Sequence, residues 1–452
     1  MAGPDDQAAS PLSPSAREHA TAAASSTTPL GFLSSLLRVP LYRSSSALIL
    51  TTVANAVLGL AFWTLAARLY SVEEVGMGAA AVAALQLASM VGCTGLTPAL
   101  IRLIPPSRAK TRRLVEGTYL AGTALALVCG AGVIVATSLF IEPLAVPAFV
   151  YLMAIPIFVI FTLQDGALIG LRREALVPVE NAVYGVVKIA LLIALSTGGA
   201  WGIFTAWSIT ALLLVVPVNL LLFLRFIPAH VARKPGRHPE MGFAEIGRFA
   251  GSNHVSGLLM AVPDFLMPII VLEIEGAEQN AFFYAAWSLV WPLRLLASNI
   301  ANAFTAQAAG DESRTKDLWF KAGALSFGIF VPLVLVLSLG SYTLLRILFG
   351  VEYAQNGDWV MRLLAPGLLP FAFVSLAVAL ARVRRQVARL LVLAVAYTAV
   401  SLPLSIVLVS AAGIDGAGMA WLVSQFVVGG VAAAIWSLGL FGDRGHPESL
   451  QK

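Results

Sequence analysis

Charge is scarce in this chain: Asp, Glu, Lys and Arg make up 12% of 452 residues, whereas 58% are hydrophobic. A soluble domain carries about 25% charged residues, so the shortage excludes an ordinary water-soluble fold and makes the bilayer the expected solvent. Cysteine is scarcer still. Cys93 and Cys129 lie inside apolar runs with no C-x-x-C spacing, which reads as two small buried hydrophobes and not as a metal or redox motif. The five histidines (His19, His230, His238, His254, His446) do not cluster at metal-ligand spacing, and neither H-E-x-x-H nor a G-x-x-x-x-G-K-[ST] loop occurs. No metal and no cofactor are therefore expected. No nucleophile and base stand out as a pair, so the chain is not expected to be an enzyme. Energy for work would come from an ion gradient, the membrane potential or the cargo. Residues 1–40 are rich in Ser, Ala, Thr and Pro, without a basic start followed by an apolar stretch; they are expected to be a disordered cytoplasmic tail and not a signal peptide.

Long apolar runs are what the chain has in abundance. About 20 apolar residues span the hydrocarbon core, and twelve such runs are expected at 47–69, 75–100, 115–140, 144–171, 176–196, 201–224, 248–272, 279–304, 318–343, 358–381, 388–411 and 414–440. The expected fold class is thus an all-α polytopic membrane protein with twelve transmembrane helices. Its longest internal connection gives six spans on either side. The expected organisation is an N-terminal six-helix bundle at 41–225, a cytoplasmic linker at 226–247, a C-terminal six-helix bundle at 248–441 and a cytoplasmic tail at 442–452. The first two spans weakly echo the seventh and eighth, as in two parallel repeats about an axis along the membrane normal.

The net charge of +5 is no nucleic-acid footprint. With both termini in the cytoplasm, 24 of the 29 basic residues fall in cytoplasmic segments, and the opposite connections are neutral or acidic, which is the positive-inside pattern. Arg68, Arg346 and Arg362 fall toward the outer side, and only Lys188 and Arg294 fall within spans.

A charged group at bilayer depth costs at least about 2.5–3.5 kcal/mol and normally faces the bundle interior. Arg294 lies about 4 Å from the middle of its span at about 1.5 Å per residue. Helical spacing places Trp287, Trp291, Ser298 and Asn302 on its face. Lys188 shares a face with Asn181 and Tyr184. Asn253, Ser256, Met260 and Asp264 share another, and Thr52, Asn55 and Gly59 a further one. Polar faces on several helices imply a central hydrophilic cavity, cationic because Lys188 and Arg294 outnumber Asp264. Alternatives stay open: Arg294 either meets cargo or pairs with Asp264 in a structural bridge, and Arg68 either meets cargo or anchors its helix end. Asp165 and Glu180 are expected to be neutralised by Arg172 and Arg173. Prolines at 263 and 292, beside Asp264 and Arg294, are expected to bend their helices.

The segments "LYSVEEVGMGAAAVAALQLASMVGCTGLTPALIRLIP" (69–105), "LQDGALIGLRREALVPVENAVYGVVKIALLIAL" (163–195), "GAEQNAFFYAAW" (276–287), "ILFGVEYAQNGDWVMRLLAPGLLPFAF" (347–373) and "GIDGAGMAWLVSQ" (413–425) resemble the polysaccharide-biosynthesis, or O-antigen flippase-like, branch of the multidrug/oligosaccharidyl-lipid/polysaccharide exporter superfamily. The resemblance extends over nearly the whole chain after residue 40. It implies two pseudo-symmetric six-helix bundles in a V and alternating access through a cationic cavity in the plasma membrane of a bacterium. The implied cargo is a polyprenyl-(pyro)phosphate-linked oligosaccharide, passed from the cytoplasmic to the outer leaflet. Membrane lipids, glycosyltransferases and a polysaccharide polymerase are implied partners; nucleic acid is not, and a monomer is expected to suffice. By position, Lys188 and Arg294 would meet the phosphate, with Asn253, Asn302, Trp287, Trp291, Asn55 and Arg68 as further substrate contacts. Asp264 would balance charge or carry a coupling ion. The alternatives are a multidrug or cation antiporter of the same superfamily, a membrane-embedded glycosyl polymerase or ligase, and a major-facilitator-type carrier.

Overall fold

A computed structural model describes residues 42–140, 147–232, 243–308, 314–384 and 386–437, with side chains placed for residues 54–135, 147–232, 255–308, 314–384 and 386–437. The expected tails and the centre of the expected linker lie outside these residues, as does the side chain of Asn253. Among the described residues there is no strand. The helices are α1 (Tyr42–Leu69), α2 (Val72–Cys93), α3 (Leu96–Ser107), α4 (Thr111–Phe140), α5 (Ala148–Gly170), α6 (Leu176–Ala194) and α7 (Ala200–Leu221). They continue with α8 (Ile227–Val231), α9 (Phe243–Ala308), α10 (Thr315–Leu339), α11 (Ser341–Leu348), α12 (Val351–Leu364), α13 (Leu368–Val383) and α14 (Val387–Ser437).

Eight helical stretches among the described residues are long and apolar enough to cross a membrane. Their outward faces carry large apolar side chains, such as Leu339, Leu224 and Val128, exposed by 81%, 74% and 72%. In water such a surface would aggregate; against lipid tails it is at rest.

Local chemistry sets the ends. Ser71 caps α2 reciprocally: its hydroxyl accepts from the Glu74 amide at 3.2 Å, and the Glu74 carboxylate accepts from the Ser71 amide at 2.9 Å, so two orphan donors are satisfied at once. The expected span 75–100 is in fact broken. Gly95 stands at φ 83° between α2 and α3, a left-handed value that glycine reaches without a Cβ penalty. The expected span 358–381 is likewise divided, by a tight turn at Ala365–Gly367 between α12 and α13. Within α9 the backbone is non-helical at Gly276 alone, and it stays helical through Pro263, Pro268 and Pro292.

Two large apolar clusters pack the helices. One gathers Leu85, Leu100, Ile104, Tyr151, Ile155 and Phe204 from α2, α3, α5 and α7. The other joins Phe62 and Trp63 of α1 to Phe282, Phe283 and Trp287 of α9 and Trp421 of α14. The second cluster also packs Val75 and Ala79, at the end of α2 expected on the outer side, against α9. Here α2 and α9 touch backbone to backbone: the Asn280 amide donates to the Gly76 carbonyl at 2.7 Å, and a Cβ on Gly76 would stand 1.7 Å from the Ala277 carbonyl oxygen. Gly76→Val is expected to force the two helices apart, at an overpacking cost of about 1–3 kcal/mol. The measurement is labelling of Ala281→Cys, a fully buried position, by a membrane-impermeant thiol reagent in a chain otherwise free of cysteine. Faster labelling with Gly76→Val is the expected result; an unchanged rate would mean that this contact does not close the outer side.

Candidate functional site

Lys188 lies midway along α6 with its side chain on the face of Tyr184, one turn earlier. Only 5% of the residue is exposed. Its ammonium stands 4.0 Å from the Trp207 ring centroid, 4.8 Å from that of Phe62 and 5.0 Å from that of Tyr184. Aromatic faces attract a cation by about 0.5–2 kcal/mol each, more as water is removed. No carboxylate lies within ion-pair distance of it among the described residues. Lys188 is thus held as a solitary charge by π-faces from α1, α6 and α7.

This lysine sits between two connected openings. A cavity of about 570 Å³ runs from Asn55, Gln86, Thr94 and Asn181 to Lys188 and Trp207. A second, of about 230 Å³, runs from Lys188 past Trp63 and Tyr284 to Trp287, Trp291 and Asp264. A third, of about 360 Å³, lies beyond Asp264 and takes in Arg294, Ser298, Asn302, Tyr397, Gln425 and Arg382. Asp264 lines both the second and the third cavity. Three spaces are thereby strung along a row of polar groups from α1 to α14.

Arg294 and Asp264 are paired. The Arg294 guanidinium donates to Asp264 at 2.5 Å, and the other carboxylate oxygen accepts from the Tyr397 hydroxyl at 2.6 Å. The two charged residues are exposed by 7% and 4%. Four rings surround the guanidinium carbon, Phe371 and Trp421 at 4.6 Å, Trp291 at 5.1 Å and Trp287 at 5.4 Å. Nε and Nη1 of Arg294 have no hydrogen-bond partner. Pairing the two charges offsets part of the cost of holding either in low dielectric. Lys188 then remains a cation of the row with no carboxylate within ion-pair distance among the described residues.

The expected site residues divide accordingly. Lys188, Trp287, Trp291, Asp264 and Asn55 all line the second cavity, and Arg294 and Asn302 line the third with Asp264. Arg68 lines none of the three; it donates to the Ile347 carbonyl at 2.6 Å and ties α1 to α11. Asn253 lies outside the described side chains. Contrary to the expectation from sequence, Arg172 and Arg173 do not pair with Asp165 and Glu180: Arg173 stands over the Phe226 ring at 5.0 Å, and the acids accept from the amides of Asn181 and Gln164. Sequence reasoning missed Tyr397 and Arg382. Tyr397, Ser401 and Ser405 are all buried and recur every fourth residue, a polar stripe that marks an inward face. Arg382 was absorbed into the cytoplasmic charge count.

The profile of the polysaccharide biosynthesis protein family matches residues 41–310, well over half of the chain, and the chain belongs to that family. No curated protein sequence matches it. Among solved structures it is similar to the lipid II flippase MurJ in an inward closed conformation, with TM-score 0.63 and 12% identity over 86% of this chain and 87% of that one. It is also similar to an inward-facing multidrug resistance MATE family transporter of the MOP superfamily, with TM-score 0.59 and 17% identity over 92% and 97%. A MOP superfamily transporter from Pyrococcus furiosus, described as having a binding pocket of reverse polarity, matches with TM-score 0.52 and 17% identity over 92% and 97%. At these identities the likeness shows the fold: an all-α, multi-pass membrane transporter fold.

Proposed function

We propose that this member of the polysaccharide biosynthesis protein family carries a polyprenyl-(pyro)phosphate-linked oligosaccharide across the membrane, from the cytoplasmic to the outer leaflet, by alternating access. The observation that carries this reading is the solitary Lys188 ammonium at the junction of two cavities. A buried cation without a carboxylate is expensive, and it becomes favourable when an anion arrives to share it. An ammonium is a point charge that donates to phosphate oxygens in many directions, which suits a headgroup that must be released again. The aromatic walls of the second cavity, Trp63, Tyr284, Trp287 and Trp291, offer flat apolar faces to sugar rings, and Asn55 and Asn302 offer hydrogen bonds. Arg294 is held by Asp264, and its Nε and Nη1, which have no hydrogen-bond partner, are buried; Arg382 lines the same third cavity and offers a cation to an anion that enters it.

In this reading two six-helix halves rock about the cargo, with both termini in the cytoplasm of a bacterial cell. Glycosyltransferases would supply the loaded lipid and a polymerase would take it up. A family relation to multidrug transporters suggests a cationic cargo instead, but the one carboxylate of the row, Asp264, already has a guanidinium and a phenol as partners. The test is equilibrium binding to the purified protein of three lipids: a polyprenyl pyrophosphate oligosaccharide, the same glycan on an uncharged polyprenyl carrier, and a lipophilic cation. The pyrophosphate lipid is expected to bind at least about tenfold more tightly than the uncharged one, since a charge-assisted contact is worth about 1.5–3 kcal/mol. Stronger binding of the cation would move the protein to the antiporter reading.

A further inference from the structure

Outside the cargo row, Arg113, Arg172 and Arg225 share one corner of the fold. Its hub is the π-turn Leu222–Phe226 that follows α7, an i→i+5 irregularity of a kind that recurs at functional sites. An arginine covers each of its two rings. Arg112, in the first turn of α4, stands 5.9 Å from the Phe223 centroid, and Arg173, between α5 and α6, stands 5.0 Å from that of Phe226. Arg112 also pairs with Glu116 at 2.8 Å. Their chain neighbours are not engaged in this way. Arg113, Arg172 and, between the two phenylalanines, Arg225 are exposed, and none makes an ion pair or a side-chain hydrogen bond among the described residues.

Membrane topology alone does not account for these arginines. Any basic residue near the end of a span serves topology, and it needs no strained backbone. Arg172 nevertheless stands at φ 59°. Its amide donates to the Ile169 carbonyl at 2.9 Å and that of Arg173 to the Leu168 carbonyl at 2.8 Å, so Arg172 is the left-handed residue of a Schellman turn, where glycine is usual. Arg108, just past α3, stands at φ 44°. Among the described residues these two are the non-glycine positions with positive φ, and a side chain there costs stability. The two turns adjoin, because α3 and α5 touch near their ends: a Cβ on Gly170 would stand 2.9 Å from Ile104 Cβ, one turn before Arg108. Arg113 also runs against local rules, since the first turn of a helix favours anions. The acids beside these residues are Glu116, which Arg112 holds, and the exposed Glu174. Arginine kept where glycine or an acid would be more stable calls for an anionic ligand.

We propose that this corner is a seat for the phosphate headgroup of an anionic phospholipid, held by Arg113, Arg172 and Arg225. Arg172 lies two residues beyond Gly170, where an apolar span ends, which puts it at headgroup level. Leu220, Leu221 and Leu224, all exposed, precede Arg225 and offer an apolar surface to the acyl chains. The ligand is thus an amphiphile with its phosphate at the arginines, whose planar forks match phosphate oxygens. The bilayer supplies such a lipid whatever the cargo, so the seat does not rest on the transport reading.

The test is native mass spectrometry of the purified full-length protein titrated with phosphatidylglycerol or with phosphatidylcholine of the same acyl chains. Phosphatidylglycerol is expected to bind in preference. Arg113→Gln, Arg172→Gly and Arg225→Gln are each expected to weaken it about fivefold, the contribution of one basic residue near an anionic surface. Arg172→Gly is also expected to hold or raise the unfolding temperature, because glycine takes the left-handed turn without a Cβ; a lower temperature would make the side chain structural and overturn its assignment. Arg314→Gln, which removes the same charge from an exposed site before α10, is expected to leave lipid binding as it was. Equal weakening by Arg314→Gln would mean diffuse attraction, and undiminished binding by the triple variant would mean that there is no seat; either result overturns the proposal. Tighter binding of a polyprenyl phosphate than of phosphatidylglycerol would do so too, since the corner would then belong to the cargo path.

Discussion

Replacing Asp264 with alanine is expected to destabilise the protein by about 3–5 kcal/mol, the usual consequence of stranding one partner of a buried ion pair. The 2.5 Å contact to Arg294 would be lost together with the Tyr397 hydrogen bond. The four rings around the guanidinium would then hold an unneutralised charge; at about 0.5–2 kcal/mol each, cation–π contacts fall short of replacing a carboxylate in low dielectric. Arg294→Met alone is expected to be costly as well, because it strands Asp264 on a single phenol. The double change, Asp264→Ala with Arg294→Met, should recover most of the loss, since the aromatic walls accept a thioether readily. Thermal unfolding of the four proteins in one detergent gives the double-mutant cycle. Additive losses would mean that the pair is not coupled and that water reaches Arg294 through the third cavity. A large positive coupling would fix Arg294 first as a structural partner that joins the two arms of α9.

That role was only half legible in the sequence. The apolar runs announce the helices because nothing but lipid tolerates them, and Lys188, Asp264 and Arg294 stand out because charges inside such runs are few. Which charge meets which is a property of helix packing, and no local spacing encodes it. Lys188 and Arg294 look equivalent in sequence, yet α9 folds back at Gly276 and brings Arg294 to Asp264, while α6 leaves Lys188 among rings. The neighbours of Asp165 and Glu180 were misread for the same reason: Arg172 and Arg173 are near along the chain, but the side chains that reach the acids are Gln164 of α5 and Asn181 of α6. The break at Gly95 was hidden because the residues on either side are apolar enough to continue one span, and composition does not report φ. Arg382 was hidden by its location at a helix end, where a basic residue serves topology by default.

The contrast between the two central cations makes the final prediction the sharpest. Lys188→Met is expected to leave the protein as stable as before, or more so, and to abolish export. The methionine side chain is close in length and volume to the lysine stem. It exchanges a charge that has no carboxylate partner for a polarisable sulfur that packs well against Trp207, Phe62 and Tyr184, and removing an unpaired charge from a buried site is favourable by itself. A loss of function caused by misfolding is thereby separated from one caused by a missing cation. The measurement is export of the glycan in cells alongside the amount of protein in the membrane and its unfolding temperature, with Lys188→Arg as the companion. Arginine keeps the charge but not the point-like geometry, so partial export is expected from it. Full export by Lys188→Met would show that the cargo crosses without this ammonium and would leave the aromatic box as packing. Export lost with stability intact would place this unpaired cation on the path of the phosphate, where its desolvation is repaid only while cargo is bound.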